Sequence, residues 1–178
     1  MVSDATLTER VLVEAIEPAL ALLPAAMDTP AARVLLLAIG LQESRLQHRR
    51  QLVGNPPRPE GPAKGLWQFE RGGGCKGVVQ HPASRYWMAR VCWAQGVTFT
   101  ATAIWNAIEH DDVLAAAAAR LLLFTDPRRL PDPGDEAGAW NLYLRTWRPG
   151  KPHRATWPAL YARALATVTQ SATEGALA

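Results

Sequence analysis

Glu43 is the residue whose setting could do chemistry. It lies in Gly40-Leu41-Gln42-Glu43-Ser44-Arg45, directly after Val34-Leu35-Leu36-Leu37-Ala38-Ile39, the most apolar stretch of the chain. No other acidic residue stands between Asp28 and Glu60. Apolar surroundings disfavour the charged carboxylate and raise its pKa. A carboxyl that keeps its proton near neutral pH is what a general acid requires. The competing arrangement is a helix-end glutamate facing water, paired with Arg45 or Arg49. Other chemistries find less support. His48, His81, His110 and His153 are scattered and make no zinc spacing with Cys75 and Cys92. Gly72-Gly73-Gly74 lacks the Lys-Ser/Thr of a phosphate loop. Glu109, Asp111 and Asp112 are best explained as helix termination and capping. No metal and no cofactor is expected.

Two later segments accompany Glu43-Ser44: Gly65-Leu66-Trp67-Gln68, and Ala139-Trp140-Asn141-Leu142-Tyr143. In this order they resemble the soluble lytic transglycosylases of the lysozyme superfamily. That family has a Glu-Ser pair ending its central helix, then a Gly-Leu-x-Gln motif, then an Ala-Tyr-Asn-x-Gly motif. Trp140 takes the aromatic place of the third motif, and Leu142-Tyr143 does not reproduce its glycine end. The resemblance spans roughly residues 30–165.

The resemblance implies a lysozyme-like fold that cleaves the peptidoglycan strand between N-acetylmuramic acid and N-acetylglucosamine. Glu43 would protonate the glycosidic oxygen. It would then act as base on the muramoyl 6-hydroxyl, closing a 1,6-anhydro ring. Ser44 would orient the glutamate or an acetamido group. Gln68 would bond substrate or the glutamate. Asn141 and Tyr143 would line the cleft. Hydrolysis instead needs a second carboxylate, ~5–5.5 Å or ~6.5–9.5 Å from the first. Glu60 and Glu70 are the candidates, Glu70 foremost because it follows Gln68. Of the seven tryptophans, Trp67 and then Trp140 are expected to offer flat faces to sugar rings.

The elements that must position these residues read as helices. Thr6 and Glu9 could form a capping box for a first helix ending near Pro24. Thr29-Pro30 reads as the start of the helix carrying Glu43, residues 31–46. Residues 47–85 are punctuated by glycine and proline, which predicts loops with short strands. Helices follow over 84–95, 100–109, 113–124, 136–145 and from Thr156 to about Thr167. The expectation is a mainly α, lysozyme-like single domain over 1–170 with one loop-rich insert, and a flexible tail over 171–178.

At 178 residues, 48% apolar and 20% charged, the chain has the balance of one globular domain. The net charge of +3 is uneven: −4 over 1–44, +6 over 45–85, −2 over 86–119, +4 over 120–163 and −1 beyond. Such basic stretches attract an anionic polymer. Peptidoglycan strands are the expected partner and a monomer the expected state. A non-enzymatic basic module binding nucleic acid or a protein is the alternative, although no helix-turn-helix is visible. A lysozyme-like fold that binds glycan without cutting it is a third. No apolar run reaches the ~20 residues of a membrane span. The first ten residues do not read as a secretory signal. Synthesis in the cytoplasm and delivery to the wall by a bacteriophage, as endolysin or virion part, is the expectation, with an exported bacterial effector as the other route. Cys75 and Cys92 could pair or remain free thiols.

Overall fold

Thr29 and Pro30 start the helix on which the rest is built. In the computed structural model, which describes residues 4–177, Thr29 Oγ1 accepts the Ala32 N–H at 3.1 Å and Pro30 fills the first turn. There its missing N–H would have had no partner anyway. Helix α3 (Pro30–Ser44) then runs through the interior. Val34 to Leu41 are all buried, as a helix apolar on every side must be.

The chain is mainly helical. Before α3 come α1 (Asp4–Val11) and α2 (Glu17–Ala21), joined by a widened π-type turn, Leu12–Ile16. Pro18 follows that turn; its ring and missing N–H do not suit a regular ladder. After α3 come α4 (Lys76–Gln80), α5 (Arg85–Ala94), α6 (Ala101–Ala107), α7 (Asp112–Phe124), α8 (Glu136–Trp147) and α9 (Trp157–Leu177). Side-chain caps set several of these starts: Thr100 accepts from Ala103 N, Asp111 from Leu114 N and Asp135 from Gly138 N. Helix α3 packs most extensively on α9, and α7 on the first helical pair and α5. Within α7 even Arg120 is buried, its Nε donating to the Met27 carbonyl at 2.9 Å. Among the described residues no helix is long and apolar enough to cross a membrane.

The structure departs from expectation in four places. Helix α9 continues to Leu177, past its expected end near Thr167. The insert is more helical than expected, with a π-type turn at Arg71–Cys75 and α4 after it. Its short strands are reduced to isolated antiparallel bridges, Arg50 with Lys64, Val53 with Arg58 and Lys64 with Phe69. Asp4 and Ala5 are already helical, ahead of the expected cap; the Thr6 side chain lies outside the described residues. Cys75 and Cys92 are both free and buried, and burial pushes their thiols up to about 12 and about 11.

What fixes the insert is the tight turn Gly65–Gln68. Lys64 and Phe69 exchange backbone hydrogen bonds at 3.1 and 2.9 Å across it, and Gln68 N donates to Gly65 O at 3.0 Å. Gly65 has φ +73°, and a Cβ there would sit 2.6 Å from the Ile108 carbonyl oxygen. A side chain is therefore refused twice, by backbone conformation and by space. Lys64 clamps the same turn outward, paired with Glu109 at 2.9 Å and lying 3.7 Å over the Trp105 ring. Gly65→Ala is expected to cost about 2 kcal/mol or more, from strain and the clash together. Chemical denaturation checks this; a loss below about 0.5 kcal/mol would refute the account of the turn.

Candidate functional site

The last turn of α3 sends two neighbouring side chains in different directions. Ser44 is buried. Its hydroxyl donates to Leu66 O at 2.6 Å and accepts from Leu46 N at 3.1 Å. It thereby ties the insert's turn to the helix end. Glu43, one residue earlier and so about 100° around the helix, faces a groove instead. Neither basic neighbour reaches it as a partner. Arg45 donates to the Leu41 carbonyl and Arg49 pairs with Asp112.

The partner of Glu43 is Tyr143, whose hydroxyl donates to Oε1 at 2.6 Å. Burial raises the Glu43 pKa and the Tyr143 hydrogen bond pulls it part of the way back, leaving it at about 7. The Tyr143 phenol is itself pushed far above its ordinary range, first by burial and then by the facing carboxyl. It holds its proton and acts as a donor. Its ring is stacked on Trp157 at 5.4 Å, 14° from parallel, and touches Trp140 at 5.3 Å. Positions 140, 143 and 147 share one face of α8 at helical spacing. The Glu43 partner is thus locked by packing before any ligand arrives.

The turn motif sits against this pair. Trp67 is buried, its Nε1 donating to the Leu36 carbonyl at 2.8 Å. Gly40 makes that possible: a Cβ there would stand 2.5 Å from Leu46 Cδ2 and 3.4 Å from Trp67 Nε1. Gln68 follows in the left-handed region, φ 51°. Its amide nitrogen donates to Gly65 O at 2.9 Å and His48 O at 3.2 Å. Its carbonyl oxygen has no partner among the described residues, and the side chain lines the groove.

The groove is open and has a volume of about 1460 Å³. Glu43, Gln68, Tyr143 and Trp147 line it, with the glycine-rich turn Gly72–Gly74 and the connection from Arg148 to His153. Trp147 is half-buried, tied by Nε1 to the Trp67 carbonyl at 3.0 Å and packed 5.7 Å from Phe69. It offers the aromatic wall expected of Trp67. The connection after α8 is pinned to α3 by Gln42, which donates to His153 O at 3.2 Å and accepts from Thr156 Oγ1 at 3.1 Å.

Of the residues singled out from sequence, Glu43, Gln68, Tyr143 and Glu70 come to this groove. The others do not line it. Ser44 and Trp67 work beneath it as structural links. Trp140 is buried behind Tyr143 and Trp157 with the Arg154 guanidinium 5.4 Å from its ring. Asn141 is exposed and away from the groove; two residues from Tyr143, it points about 200° around α8. Sequence reasoning missed Trp147 and Gln42. The i, i+3, i+7 aromatic spacing with Trp140 and Tyr143 was the available signal for Trp147. Among the described residues no three His, Cys, Asp or Glu side chains converge as a metal site. The chain matches no protein-family model, no curated protein and no solved structure.

The raised pKa of Glu43 has a thermodynamic consequence. Unfolding returns the carboxyl to its ordinary value of 4.5 from about 7. Between these values the folded state holds a proton that the unfolded state has released, so stability falls as pH rises. Above about 7 the full cost is present, about 3 kcal/mol at ~1.4 kcal/mol per tenfold change in proton affinity. Glu43→Gln keeps an acceptor for Tyr143 and carries no charge. It is expected to be more stable than the wild type at alkaline pH by up to that amount, the gap closing on acidification. Denaturation midpoints followed from about pH 4 to about pH 9 test this; parallel curves would contradict it.

Proposed function

We propose that the chain cleaves the glycan strand of peptidoglycan between N-acetylmuramic acid and N-acetylglucosamine, with Glu43 as the catalytic acid of a lysozyme-like fold. The observation that carries this reading is the Glu43 carboxyl itself. It is half-buried, raised to about 7, held by one rigid phenol, and open to a large groove. A group poised there is protonated often enough to donate and basic enough to take a proton back. The order of the Glu43-Ser44, Gly65–Gln68 and Ala139–Tyr143 segments, similar to lytic transglycosylases, supplies the substrate class.

Glu43 donates its proton to the glycosidic oxygen as the bond from muramoyl C1 breaks. Positive charge develops on the sugar ring, and the new Glu43 carboxylate faces it. The carboxylate next removes the proton of the C6 hydroxyl. O6 closes on C1, leaving a 1,6-anhydro end and restoring the acid. Tyr143 donates to Oε1, which steadies the carboxylate between the two proton transfers and leaves Oε2 for the reacting oxygen. Gln68, its amide nitrogen already committed to backbone, presents a carbonyl that accepts from a sugar hydroxyl or acetamido N–H. Trp147 supplies the flat apolar face.

Hydrolysis is the second reading, because Glu70 lines the same groove and is exposed. There it would activate water. Fragment masses separate the two. Transglycosylation gives ends lighter by one water and survives Glu70→Gln; hydrolysis gives reducing ends and is lost with that substitution.

On purified cell walls, Glu43→Gln is expected to lower the rate of turbidity loss by about 100-fold or more with folding intact. Equal rates in the two proteins would reject the proposal. Wild-type activity is expected to decline as pH rises through about 7, because the protonated form is the donor. In Tyr143→Phe that descending limb moves to higher pH, since the hydrogen bond that favours the carboxylate is gone. A limb that stays in place would show that Tyr143 does not tune the acid.

A further inference from the structure

We infer that the groove selects glycan strands by their carboxylates, through Lys76, Arg148 and Lys151. This rests on the glycan reading and adds to it the charge state of the ligand. Elsewhere on the molecule, cations near carboxylates are consumed by them: Arg33 by Glu17 and Asp28, Arg49 by Asp112, Lys64 by Glu109, Arg154 by Glu136. The groove differs. Lys76, Arg148 and Lys151 line it, and none forms an ion pair among the described residues.

The acids of the groove do not offset them. Asp126 is spent on Arg145 at 2.8 Å. Glu43 is engaged by Tyr143 and keeps its proton up to about pH 7. Only Glu70 is left as a free carboxylate among the lining residues. The three cations come from two separate segments, the start of α4 and the connection after α8.

That connection is held in place. Arg148 takes the left-handed conformation that ends α8, φ 50°, with its Nε donating to Arg145 O at 3.3 Å. Past Lys151 the chain is pinned to Gln42, the residue beside Glu43. The backbone that carries Arg148 and Lys151 is therefore anchored beside the acid. A neutral amino-sugar polymer has no use for them. A strand bearing carboxylates does, whether these are the lactyl groups of muramic acid or the acids of its stem peptides.

The test uses the full chain carrying Glu43→Gln, so that binding is read without cleavage, with and without Lys76→Gln, Arg148→Gln and Lys151→Gln together. Three probes are compared by calorimetry or sedimentation: a neutral N-acetylglucosamine oligomer, glycan strands stripped of peptide by an amidase, and stem-bearing strands. Carboxylated strands are expected to bind about tenfold tighter than the neutral oligomer at low salt. That preference should collapse in the triple variant and at high ionic strength. Tight binding of stripped strands assigns the lactyl carboxylate; tight binding of stem-bearing strands alone assigns the peptide acids. Equal affinity for neutral and carboxylated polymers, or a preference that survives the triple substitution in a folded protein, overturns the inference and leaves the glycan reading standing. Absence of binding to every polymer overturns both.

Discussion

A carboxyl that follows the apolar, buried run of a helix needs a partner, and here the partner is a phenol rather than a cation. That choice governs the site. A guanidinium beside Glu43 would hold it ionised well below neutrality, and both nearby arginines are turned elsewhere. A phenol donates one hydrogen bond and no charge, so desolvation wins and the proton is retained to about pH 7. The phenol itself is gripped by Trp157 and Trp140 and cannot drift away from the carboxyl. The cost this places on folding falls at one position; the rest of α3 is apolar packing or polar groups with partners. A perturbed carboxyl with a single neutral partner, in a groove, is the usual mark of a functional site.

Ser44 explains how that exposure is limited. Its hydroxyl closes the helix end onto Leu66 and Leu46, and Ser44 is itself buried beside Glu43. Gly40 and Trp67 fill the space beneath, the indole bonded to the Leu36 carbonyl. The Glu-Ser pair is therefore a division of labour between adjacent residues. One side chain seals the floor, the other is left facing the groove.

The parts legible in the sequence were those with local causes. Thr29-Pro30, Asp111 and the apolar run of α3 carry their own start and burial signals, and the helices form there. The end of the chain was illegible for the opposite reason. Its threonines and serine are weak helix formers and compete for backbone. In the structure Thr167, Thr169 and Thr173 donate back to carbonyls four residues earlier, while Ala164 and Val168 are buried. Packing on α3 holds that helix as far as Val168, and local propensity could not report it. At the site, the acid and the turn motif were legible as residue types at an ordered spacing. Which side chain of Gly65-Leu66-Trp67-Gln68 faces the groove was not, because a four-residue turn sends neighbours to opposite sides. Trp67 went inward and Gln68 stayed. Asn141 was lost to helix geometry: Tyr143 and its neighbours at 140 and 147 claim one face, and residue 141 falls on the other.

The two sides of the groove are built from contrasting material, and this bears on what can lie in it. The side carrying Tyr143, Trp147 and the pinned connection is rigid, fixed by aromatic stacking and by Gln42. Another part of the lining is Gly72–Gly74, where Gly73 leaves helical geometry at φ −101°, ψ −106° and a side chain at 72 would meet nothing. Gly74 is different, since a Cβ there would press on the Phe69 ring at 3.0 Å. That ring is the one that packs on Trp147. Backbone stripped of side chains leaves width in the groove, and the one of these three glycines that is tightly packed, Gly74, protects the aromatic wall. A small ligand would gain nothing from such width. On the glycan reading proposed above, a polymer lying past Glu43 would use it, because sugars on either side of the acid need room while one ring rests against the fixed wall.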